Sequence, residues 1–337
     1  MLAHCYSADT ALIASQHQPA LLLEFARSRD LSLAGLLKGS GLTEAGLLDG
    51  RQRLSPAQLL QLLGQLLRAA DERGASFQLG QQWLPGHYGA ASLALAQAVD
   101  LAQALQILEA EQARFCPLLG PRLRVEGELA IVYWTDSVGA GPLLPALVEL
   151  HMAALTGMAR WLGGEPLPWR YYFNRTRPRE LAQHAVHLGS ALHFGAQFDA
   201  MVVDAHWLQR PWPRGQAAGV SLSLRQLEPL ATPRSLLQAL YDQLRASLHA
   251  PPSLEHSAAA FATSPATLKR HLARHGTHFQ AMLDLVRTHE ALFLLQFHGY
   301  DHAALAAHFG FHDARNFRRS FSRWTGLQAA LLGPQLA

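Results

Sequence analysis

Two clusters of Lys and Arg near the end of the sequence recur at the spacing of one helix face. Their members are Lys269, Arg270 and Arg274 in the first cluster and Arg315, Arg318 and Arg319 in the second. Basic side chains neutralise backbone phosphates, and an Arg guanidinium can donate two hydrogen bonds to guanine O6 and N7. Ala266, Thr267 and Asn316 share the same outward faces. The pattern therefore predicts two helices that contact DNA through these side chains.

Each cluster falls on the second helix of a predicted helix–turn–helix unit, and the two units span 252–276 and 299–326. In the first unit, Ser264 is suited to cap the second helix, and Pro265 follows at the first helical position. In the second unit, Gly310 lies in the turn. A solvated basic surface is the alternative for either helix alone. The duplication of the unit favours DNA contact.

The segment between the units, 279–299, carries apolar residues at helical spacing and ends on Gly299, a common helix terminator. A single helix here would hold the two units at a fixed distance. Successive major-groove faces on one side of B-DNA lie about 34 Å apart. The sequence therefore predicts that one chain contacts two successive grooves.

The two units resemble the DNA-binding segment of the AraC/XylS family of transcription regulators. The positions that match the motif of this family are Leu254, Ala258, Ser264, Leu268, Arg270, Leu272, Ala306, Gly310, Phe311, Phe317, Arg319, Phe321 and Gly326. Two features depart from the motif: Ala262 stands where a Gly is usual, and the residues after Gly326 lack the usual Pro and closing Arg. The resemblance implies a domain that binds double-stranded promoter DNA. Because of the second departure, the resemblance does not extend to the phosphate contact that the family makes near the C-terminus.

Charge and composition agree with a cytoplasmic protein that binds DNA through its C-terminal region. From Arg234 onward, ten Lys and Arg face six Asp and Glu, a net charge of +4, and the remainder of the chain carries −1. The 337 residues, 49% of them hydrophobic, predict two domains. The sequence shows no signal peptide and no apolar run long enough for a membrane span, and its two cysteines suit a reducing compartment.

The N-terminal region alternates between helical and strand patterns. Helical spacing occurs over 19–29, 32–38, 55–72, 86–115 and 143–162, with a break near Asp100. Strand patterns occur over 122–135, 169–176 and 200–208, and the first of them predicts a hairpin that turns at Glu126–Gly127. The segment 214–233 is rich in Pro, Gly and Ser and has no helical stripe, which predicts a flexible linker. We therefore predict an α+β (mixed α/β) effector domain over 1–213. An all-α domain follows over 234–337, in which a linker helix joins the two tandem helix–turn–helix units.

The N-terminal region resembles the arabinose-binding type of effector domain found in AraC-like regulators. The resemblance covers 15–213 and is clearest at 42–63, 85–89 and 188–213. It implies that this domain senses a small molecule, without fixing which one. Asp199 stands where the family often has Asn before the last strand.

Residues that could support catalysis or metal binding do not form a recognisable site in the sequence. The eighteen histidines include three pairs at helical spacing, His184/His187, His271/His275 and His308/His312. None of these pairs has a Cys or carboxylate cluster at ligand spacing, so neither a metal nor a cofactor is predicted. Cys5 and His4 are adjacent, so their side chains point in different directions. An enzyme in the N-terminal domain is the rival hypothesis, but it lacks a visible nucleophile or metal site.

Aromatic and basic residues of the N-terminal region are candidates for an effector pocket. These candidates are His87, Tyr88, Tyr133, Trp134, Arg170 and Tyr172. Aromatic walls closed by a basic group would suit a ligand with an apolar body and a carboxylate, such as a fatty acid. An amino acid is the alternative ligand. A purely structural role in the core is the alternative for the aromatic residues themselves.

Taken together, these patterns predict a ligand-responsive transcription regulator, with an activator favoured over a repressor. The expected partners are promoter DNA, a small-molecule effector, a second copy of the chain and RNA polymerase, with no membrane. The helix predicted over 143–162 carries Leu144, Leu147, Val148, His151, Leu155 and Met158 at near-heptad spacing. This stripe is a candidate dimer seam, for which a core face is the alternative. A protein that has lost DNA binding and acts through protein contacts is a third hypothesis.

Overall fold

The computed structural model describes residues 5–70 and 74–325. Within these ranges, a mixed α/β region is followed by a region built of helices, as the sequence patterns predict. The tail after Gly326, where the sequence lacks the usual Pro and Arg of the family, lies outside the described residues.

The N-terminal region begins with helices whose ends are set by local hydrogen bonds. Its helices are α1 Gln18–Arg27, α2 Leu33–Leu37, α3 Glu44–Leu48, α4 Pro56–Ala70, α5 Ala75–Trp83, α6 Ala90–Ala96, α7 Leu101–Ala110, α8 Gln112–Phe115, α9 Leu144–Gly163 and α10 Ala182–Leu188. Ser55 and Gln58 form a reciprocal capping box at the start of α4, with bonds of 3.0 and 3.3 Å. Asp100 accepts the Gln103 N–H at 2.8 Å and so separates α6 from α7, at the position where the sequence predicts a break.

A five-stranded sheet forms the centre of this region. The strands of the chain are β1 Cys5–Tyr6, β2 Ile13–Ala14, β3 Arg53–Leu54, β4 Leu119–Glu126, β5 Leu129–Asp136, β6 Arg170–Phe173, β7 Leu192–Phe194, β8 Ala200–Asp204 and β9 Arg234–Ser235. The sheet order is β4-β5-β8-β6-β7. The β4–β5 hairpin turns at Gly127, whose φ of +57° favours glycine, and this confirms the predicted hairpin. The predicted strand over 200–208 is too long, because a 3-10 helix, Ala205–Gln209, replaces its second half.

The two faces of β5 are buried by different parts of the chain. Ala130, Val132 and Trp134 belong to the core of the N-terminal region. Ile131 and Tyr133 alternate with them and belong to a second core that also contains the C-terminal helices. The strand is therefore apolar along its whole length because the C-terminal region covers the face that would otherwise meet solvent.

Helix α9 is the central helix of the N-terminal core. Gly80 lets α5 approach it closely, since a Cβ at that position would lie 2.3 Å from the Leu150 carbonyl oxygen. The span Gly141–Gly163 is long and apolar enough to cross a membrane by length and composition, but just over half of its most apolar window, 56%, is buried inside the protein. The stripe predicted as a dimer seam is part of this packing, with Leu147, Val148, His151, Leu155 and Met158 all buried. The burial of these residues agrees with the core-face interpretation of the stripe, which the sequence favours over a dimer seam.

The predicted linker contains a helix and is not a free tether. Helix α11, Ala217–Arg225, packs against α6 and buries Val220. The Trp212 and Gln216 N–H groups donate to the Val99 and Gln97 carbonyl oxygens at 2.7 and 2.8 Å. The prediction of a linker without a helix is wrong, because packing on α6 stabilises a short helix whose own sequence signal is weak.

The C-terminal region consists of six helices among the described residues. They are α12 Leu236–Ala246, α13 Leu254–Ala260, α14 Pro265–Arg274, α15 Phe279–Phe297, α16 His302–His308 and α17 Ala314–Thr325. Ser235, Ser253, Ser264 and Asp301 cap α12, α13, α14 and α16 through side-chain oxygens that accept backbone N–H groups. These caps place the two predicted helix–turn–helix units at α13–α14 and α16–α17, with α15 between them.

Candidate DNA-binding surface and interdomain cavity

The first helix–turn–helix unit presents its basic residues on one open face of α14. Leu268 and Leu272 are fully buried, while Lys269, Arg270 and Arg274 are exposed. Ala266 is exposed beside them, whereas the Thr267 hydroxyl accepts a hydrogen bond from Ser264 Oγ at 2.9 Å. The candidate face is therefore continuous, but Thr267 is partly engaged by the helix cap.

The turn of the first unit explains one departure from the family motif. Ala262 has φ +49°, the left-handed region where glycine is favoured. An alanine in this conformation costs about 1 kcal/mol relative to glycine. Ala262 therefore stands at a turn position whose backbone favours glycine, at a cost in stability.

The second unit exposes its basic residues on α17 in the same manner. Phe317 and Phe321 are fully buried, and the rings of Phe309 and Phe317 stack with centroids 5.9 Å apart. The candidates Arg315, Asn316, Arg318 and Arg319 are all exposed. Asn316 Nδ2 donates to Asp313 Oδ2 at 3.2 Å, which orients its amide before any DNA is bound. A basic residue that the sequence reasoning omitted, Arg323, lies exposed one turn after Arg319.

Helix α15 is one uninterrupted helix of 19 residues. At 1.5 Å per residue its length is about 28 Å, which is close to the roughly 34 Å between successive major-groove faces. Its buried residues include Val286, Leu292 and Phe293, so it is also the central helix of the C-terminal core. The single linker helix predicted between the units is confirmed.

The effector region contacts α14 and the turn that follows it. Arg274 Nη1 donates to Asp9 Oδ2 at 3.3 Å in an exposed ion pair. His275 Nδ1 lies 2.9 Å from the Val138 carbonyl oxygen and is buried. Arg274 is therefore the one candidate DNA contact on α14 for which the described residues supply an ion-pair partner.

A second set of charged contacts joins the β4–β5 hairpin to α15. Arg124 forms two bonds to Glu290, at 2.7 and 3.4 Å, and also pairs with Glu126. Its guanidinium lies 4.1 Å from the centroid of the Phe293 ring. His298 Nε2 lies 2.8 Å from Glu126 Oε2. Because Arg124, Glu126 and Glu290 are largely shielded from solvent, they hold α15 against the sheet more firmly than surface ion pairs would, whereas His298 is half-exposed.

The candidates for an effector pocket do not converge on one cavity among the described residues. His87 is exposed on a shallow groove beside Trp161. Tyr88 is buried, and its hydroxyl donates to the Trp83 carbonyl oxygen at 3.1 Å. Tyr88 therefore has the packing of a core residue, which was the alternative to a ligand contact.

The remaining candidates lie in and around the sheet. Tyr133 is buried beneath the C-terminal region, with its ring 5.6 Å from that of Phe293. Tyr172 stacks on His193 at 4.6 Å, and Arg170 begins the same strand. Trp134 alone among the six lines the cavity that lies between the effector region and the C-terminal helices.

This interdomain cavity has a volume of about 480 Å³. The strand β5, the helix α9 and the loop before β8 form one wall, and α15 and the end of α17 form the other. Its charged or titratable lining residues are Asp136, Asp199, Asp284, His289 and Arg323, and Thr288 is one of several uncharged polar residues beside them. Three carboxylates therefore face a single guanidinium.

The polar groups of the cavity differ in how far the protein already satisfies them. Asp136 accepts the N–H groups of Val138, Gly139 and Ala140 at 2.9, 2.8 and 2.7 Å, so both of its oxygens are occupied. Burial raises the pKa of Asp199, an effect opposed by the Asn174 N–H, which donates to its Oδ1 at 3.0 Å.

His289 faces the same cavity from the C-terminal side. It is 7% exposed, and its Nδ1 lies 2.9 Å from the Tyr241 hydroxyl. Burial, aided by Arg122, lowers the pKa of His289 to about 4, so the ring is neutral at physiological pH. The described residues contain no group of three or more His, Cys, Asp or Glu side chains that could hold a metal ion.

Comparison with protein families assigns both regions of the chain. Residues 31–212 match the arabinose-binding domain of AraC transcription regulators, and residues 257–330 match a helix–turn–helix domain. The chain belongs to the AraC family of transcription regulators. It is accordingly a ligand-sensing, DNA-binding transcription regulator and not an enzyme.

Relatives of this AraC-family regulator include characterised and solved proteins. The ornithine utilization regulator of Pseudomonas aeruginosa is 29% identical over 283 residues, which cover 81% of this chain and 82% of that protein. The transcriptional regulator CdpR of the same species is 21% identical, with a TM-score of 0.44, over 93% of this chain and 96% of the solved chain. A DNA-binding transcriptional dual regulator of Escherichia coli K-12 is 22% identical, with a TM-score of 0.26, over 30% of this chain and 87% of that one.

Proposed function

We propose that this regulator binds promoter DNA by placing α14 and α17 in two successive major grooves. Its first contact face is Ala266, Thr267, Lys269, Arg270 and Arg274, and its second is Arg315, Asn316, Arg318 and Arg319. One observation carries the proposal: every Lys and Arg of the two faces is exposed. The faces lie on α14 and α17, and the single helix α15 lies between the two units. Arg323 extends the second face by a further turn.

We further propose that the regulator works in the cytoplasm as a homodimer and activates transcription in contact with RNA polymerase. The domain division into 1–213, 214–233 and 234–337 is part of the same proposal. Two copies on one DNA would raise the local concentration of the second DNA-binding domain and sharpen the response to effector. Sedimentation with and without DNA, and transcription from a bound promoter in vitro, test the dimer and the sign of regulation.

We infer that the effector is an amino acid with a cationic side chain rather than a fatty acid. The alignment with the ornithine utilization regulator covers 81% of this chain, and the name of that relative supports an effector of this class. The cavity between the domains carries three carboxylates and one Arg, which favours a ligand with excess positive charge. A fatty acid would place its own carboxylate among these groups, where repulsion and desolvation both oppose binding.

The DNA-binding proposal is tested with Arg270→Ala and Arg319→Ala, with Arg225→Ala as the matched control. Arg225 is exposed at the end of α11, away from both contact faces. If an Arg contacts a base, its loss should weaken binding about 5- to 150-fold, a cost of about 1–3 kcal/mol, and relax preference at one base pair. If it contacts phosphate, all sequences should weaken alike and the salt slope should fall by about 1.

The DNA measurement needs a selected binding site and a titration over salt concentration. The control variant should bind as the unchanged protein does. DNA affinities and salt slopes that are unchanged in both Arg270→Ala and Arg319→Ala would overturn the proposed contact faces.

The effector class is tested by calorimetric titration of the full chain with L-ornithine, L-glutamate and oleate. We expect L-ornithine to bind and the two anionic compounds not to bind. Binding of oleate without binding of L-ornithine would restore the fatty-acid hypothesis. This outcome would leave the DNA-binding proposal intact, since neither Arg270 nor Arg319, whose variants test DNA binding, lines the cavity.

A further inference from the structure

We infer that the cavity between the effector region and helices α15 and α17 is the effector site, and that it recognises a diamino acid through residues of both domains. This inference rests on the proposed effector class and adds the location and the contacts. The family assignments cover the two regions separately, whereas this cavity exists only where they meet.

The size of the cavity suits a small organic molecule. Its volume of about 480 Å³ falls within the range of about 300–1,000 Å³ that is usual for ligand sites. Its apolar lining comes from Leu119, Leu144, Val148, Phe198 and Leu285, which can enclose the methylene chain of an amino acid. Polar groups lie on both walls, where they can fix the orientation of a ligand.

The carboxylates provide the contacts for cationic groups. Asp199 uses Oδ1 to accept the Asn174 N–H, and the described residues offer no hydrogen bond to its Oδ2. Asp284 accepts the Gln280 side-chain N–H at 2.7 Å on Oδ1 alone. Arg175, the nearest cation to influence Asp199, is itself paired with Glu149 at 3.0 Å. Each cavity wall therefore holds one carboxylate with an oxygen left for an ammonium group.

Asp199 supplies a negative charge as well as hydrogen-bond acceptors. An Asn at this position could accept a hydrogen bond but would carry no charge to offset that of an ammonium group. The aromatic faces of Trp134 and Trp324 line the same space, and such faces attract cations at close range. The preference for a cation is therefore a feature of the residues of this chain and not only of the fold.

The carboxylate of the ligand would meet His289 and Arg323. His289 is more than nine-tenths buried and lines the cavity. Its Nδ1 is engaged by the Tyr241 hydroxyl, which leaves Nε2, on the far side of the ring, for the cavity. With Nε2 protonated and Nδ1 accepting from Tyr241, the neutral ring donates one hydrogen bond and does not repel a cation. Arg323 is exposed at the edge of the cavity and can pair with the same carboxylate.

Binding at this location would couple sensing to DNA contact. Asp284 and His289 belong to α15, which joins the two helix–turn–helix units, and Arg323 belongs to α17. Asp199 and Trp134, on the opposite wall, belong to the effector region. A ligand that bridges the two walls stabilises one arrangement of the domains relative to all others. Coupling by this route does not depend on the linker acting as a lever.

The experiment is calorimetric titration of the full chain and of four variants with L-ornithine and with putrescine, a diamine without a carboxylate. Asp199→Asn and Asp284→Asn should each weaken L-ornithine binding by at least about tenfold. Asp204→Asn is the matched control, since this carboxylate is exposed at the end of β8, outside the cavity lining, and its variant should bind normally. Arg323→Ala should weaken L-ornithine binding but leave putrescine binding unchanged, because only the amino acid has a carboxylate for it.

Hydrogen exchange provides a second measurement that does not depend on substitutions. We expect L-ornithine to slow amide exchange over 281–289 in the unchanged chain. The proposed location of the site would be overturned if both Asp199→Asn and Asp284→Asn bound L-ornithine as the unchanged chain does and if the ligand gave no protection over 281–289. The proposed effector class would still stand in that case. A chain that binds no diamino acid at all would overturn both the effector class and this inference.

Discussion

The contact between Gly139 and the turn after α14 gives the sharpest test of how the two domains dock. Gly139 has φ +80°, and a Cβ added to it would lie 2.1 Å from the His275 carbonyl oxygen. Both atoms of the clash belong to the main chain or are fixed to it, so no side-chain rotation can relieve it. Gly141 in the same loop has φ +51° but nothing within 4 Å of an added Cβ. Gly139→Ala and Gly141→Ala therefore share the backbone strain and differ in the clash.

The expected magnitude follows from these two contributions. An alanine at positive φ costs about 1–2 kcal/mol, and this cost applies to both variants. To relieve the clash, the backbone at His275 must move by more than about 1 Å to reach ordinary contact distance near 3.5 Å. The movement breaks the bond between His275 Nδ1 and the Val138 carbonyl oxygen, which is worth about 0.5–1.5 kcal/mol, and adds an overpacking cost of about 1–3 kcal/mol.

Gly139→Ala should therefore weaken docking of the first helix–turn–helix unit by about 2–4 kcal/mol more than Gly141→Ala does. This difference corresponds to a change of about 30- to 1,000-fold in the docking equilibrium constant. Amide hydrogen exchange over 137–140 and 274–278 measures this opening directly. We expect faster exchange in both segments of Gly139→Ala and not in Gly141→Ala. Equal exchange in the two variants would show that the domains do not dock through this contact.

Three further substitutions or conditions test other parts of the structure. Phe317→Ala removes a fully buried ring from the second unit and should lower the free energy of unfolding by about 3–5 kcal/mol in denaturant titrations, whereas Arg318→Ala on its exposed side should change it little. Glu290→Gln should weaken domain docking by about 1–3 kcal/mol. This cost is smaller than that of breaking an isolated buried ion pair, because Arg124 remains paired with Glu126. A double-mutant cycle of Glu290→Gln with Arg124→Gln that gives no coupling energy would contradict this prediction. Burial lowers the pKa values of His17, His151 and His289 to about 4, so the unfolded chain binds more protons than the folded chain between pH 4 and 6.5. Each histidine should therefore lower the free energy of unfolding by up to about 1.4 kcal/mol per pH unit as the pH falls through this window, with no pH dependence above it. Equal free energies of unfolding in urea at pH 5 and pH 7 would refute this assignment.

Much of the DNA-binding region follows from the sequence because its determinants are local. Ser264 caps α14 and Pro265 begins it, since a helix start depends on residues within one turn of each other. Leu268, Leu272, Phe317 and Phe321 are buried as their helical spacing predicts. The exposed basic residues follow from the same spacing, because the face opposite a buried stripe must meet solvent.

The effector pocket could not be predicted in the same way. Tyr133 and Trp134 are adjacent in β5, and successive residues of a strand point to opposite faces, so the two side chains cannot line one pocket. The residues that line the interdomain cavity carry no such signal, since they come from seven separate segments of the chain.

The sequence by itself determined the two helix–turn–helix units, their caps and the helix between them, because each depends on interactions within one or two turns. Only the tertiary structure decided that α11 forms within the linker, that both faces of β5 are buried, and that Asp199 meets Asp284 across a cavity. These features depend on contacts between segments far apart in the chain. Their free energies arise from burial and charge pairing after the chain has folded, and no periodicity in the sequence records them.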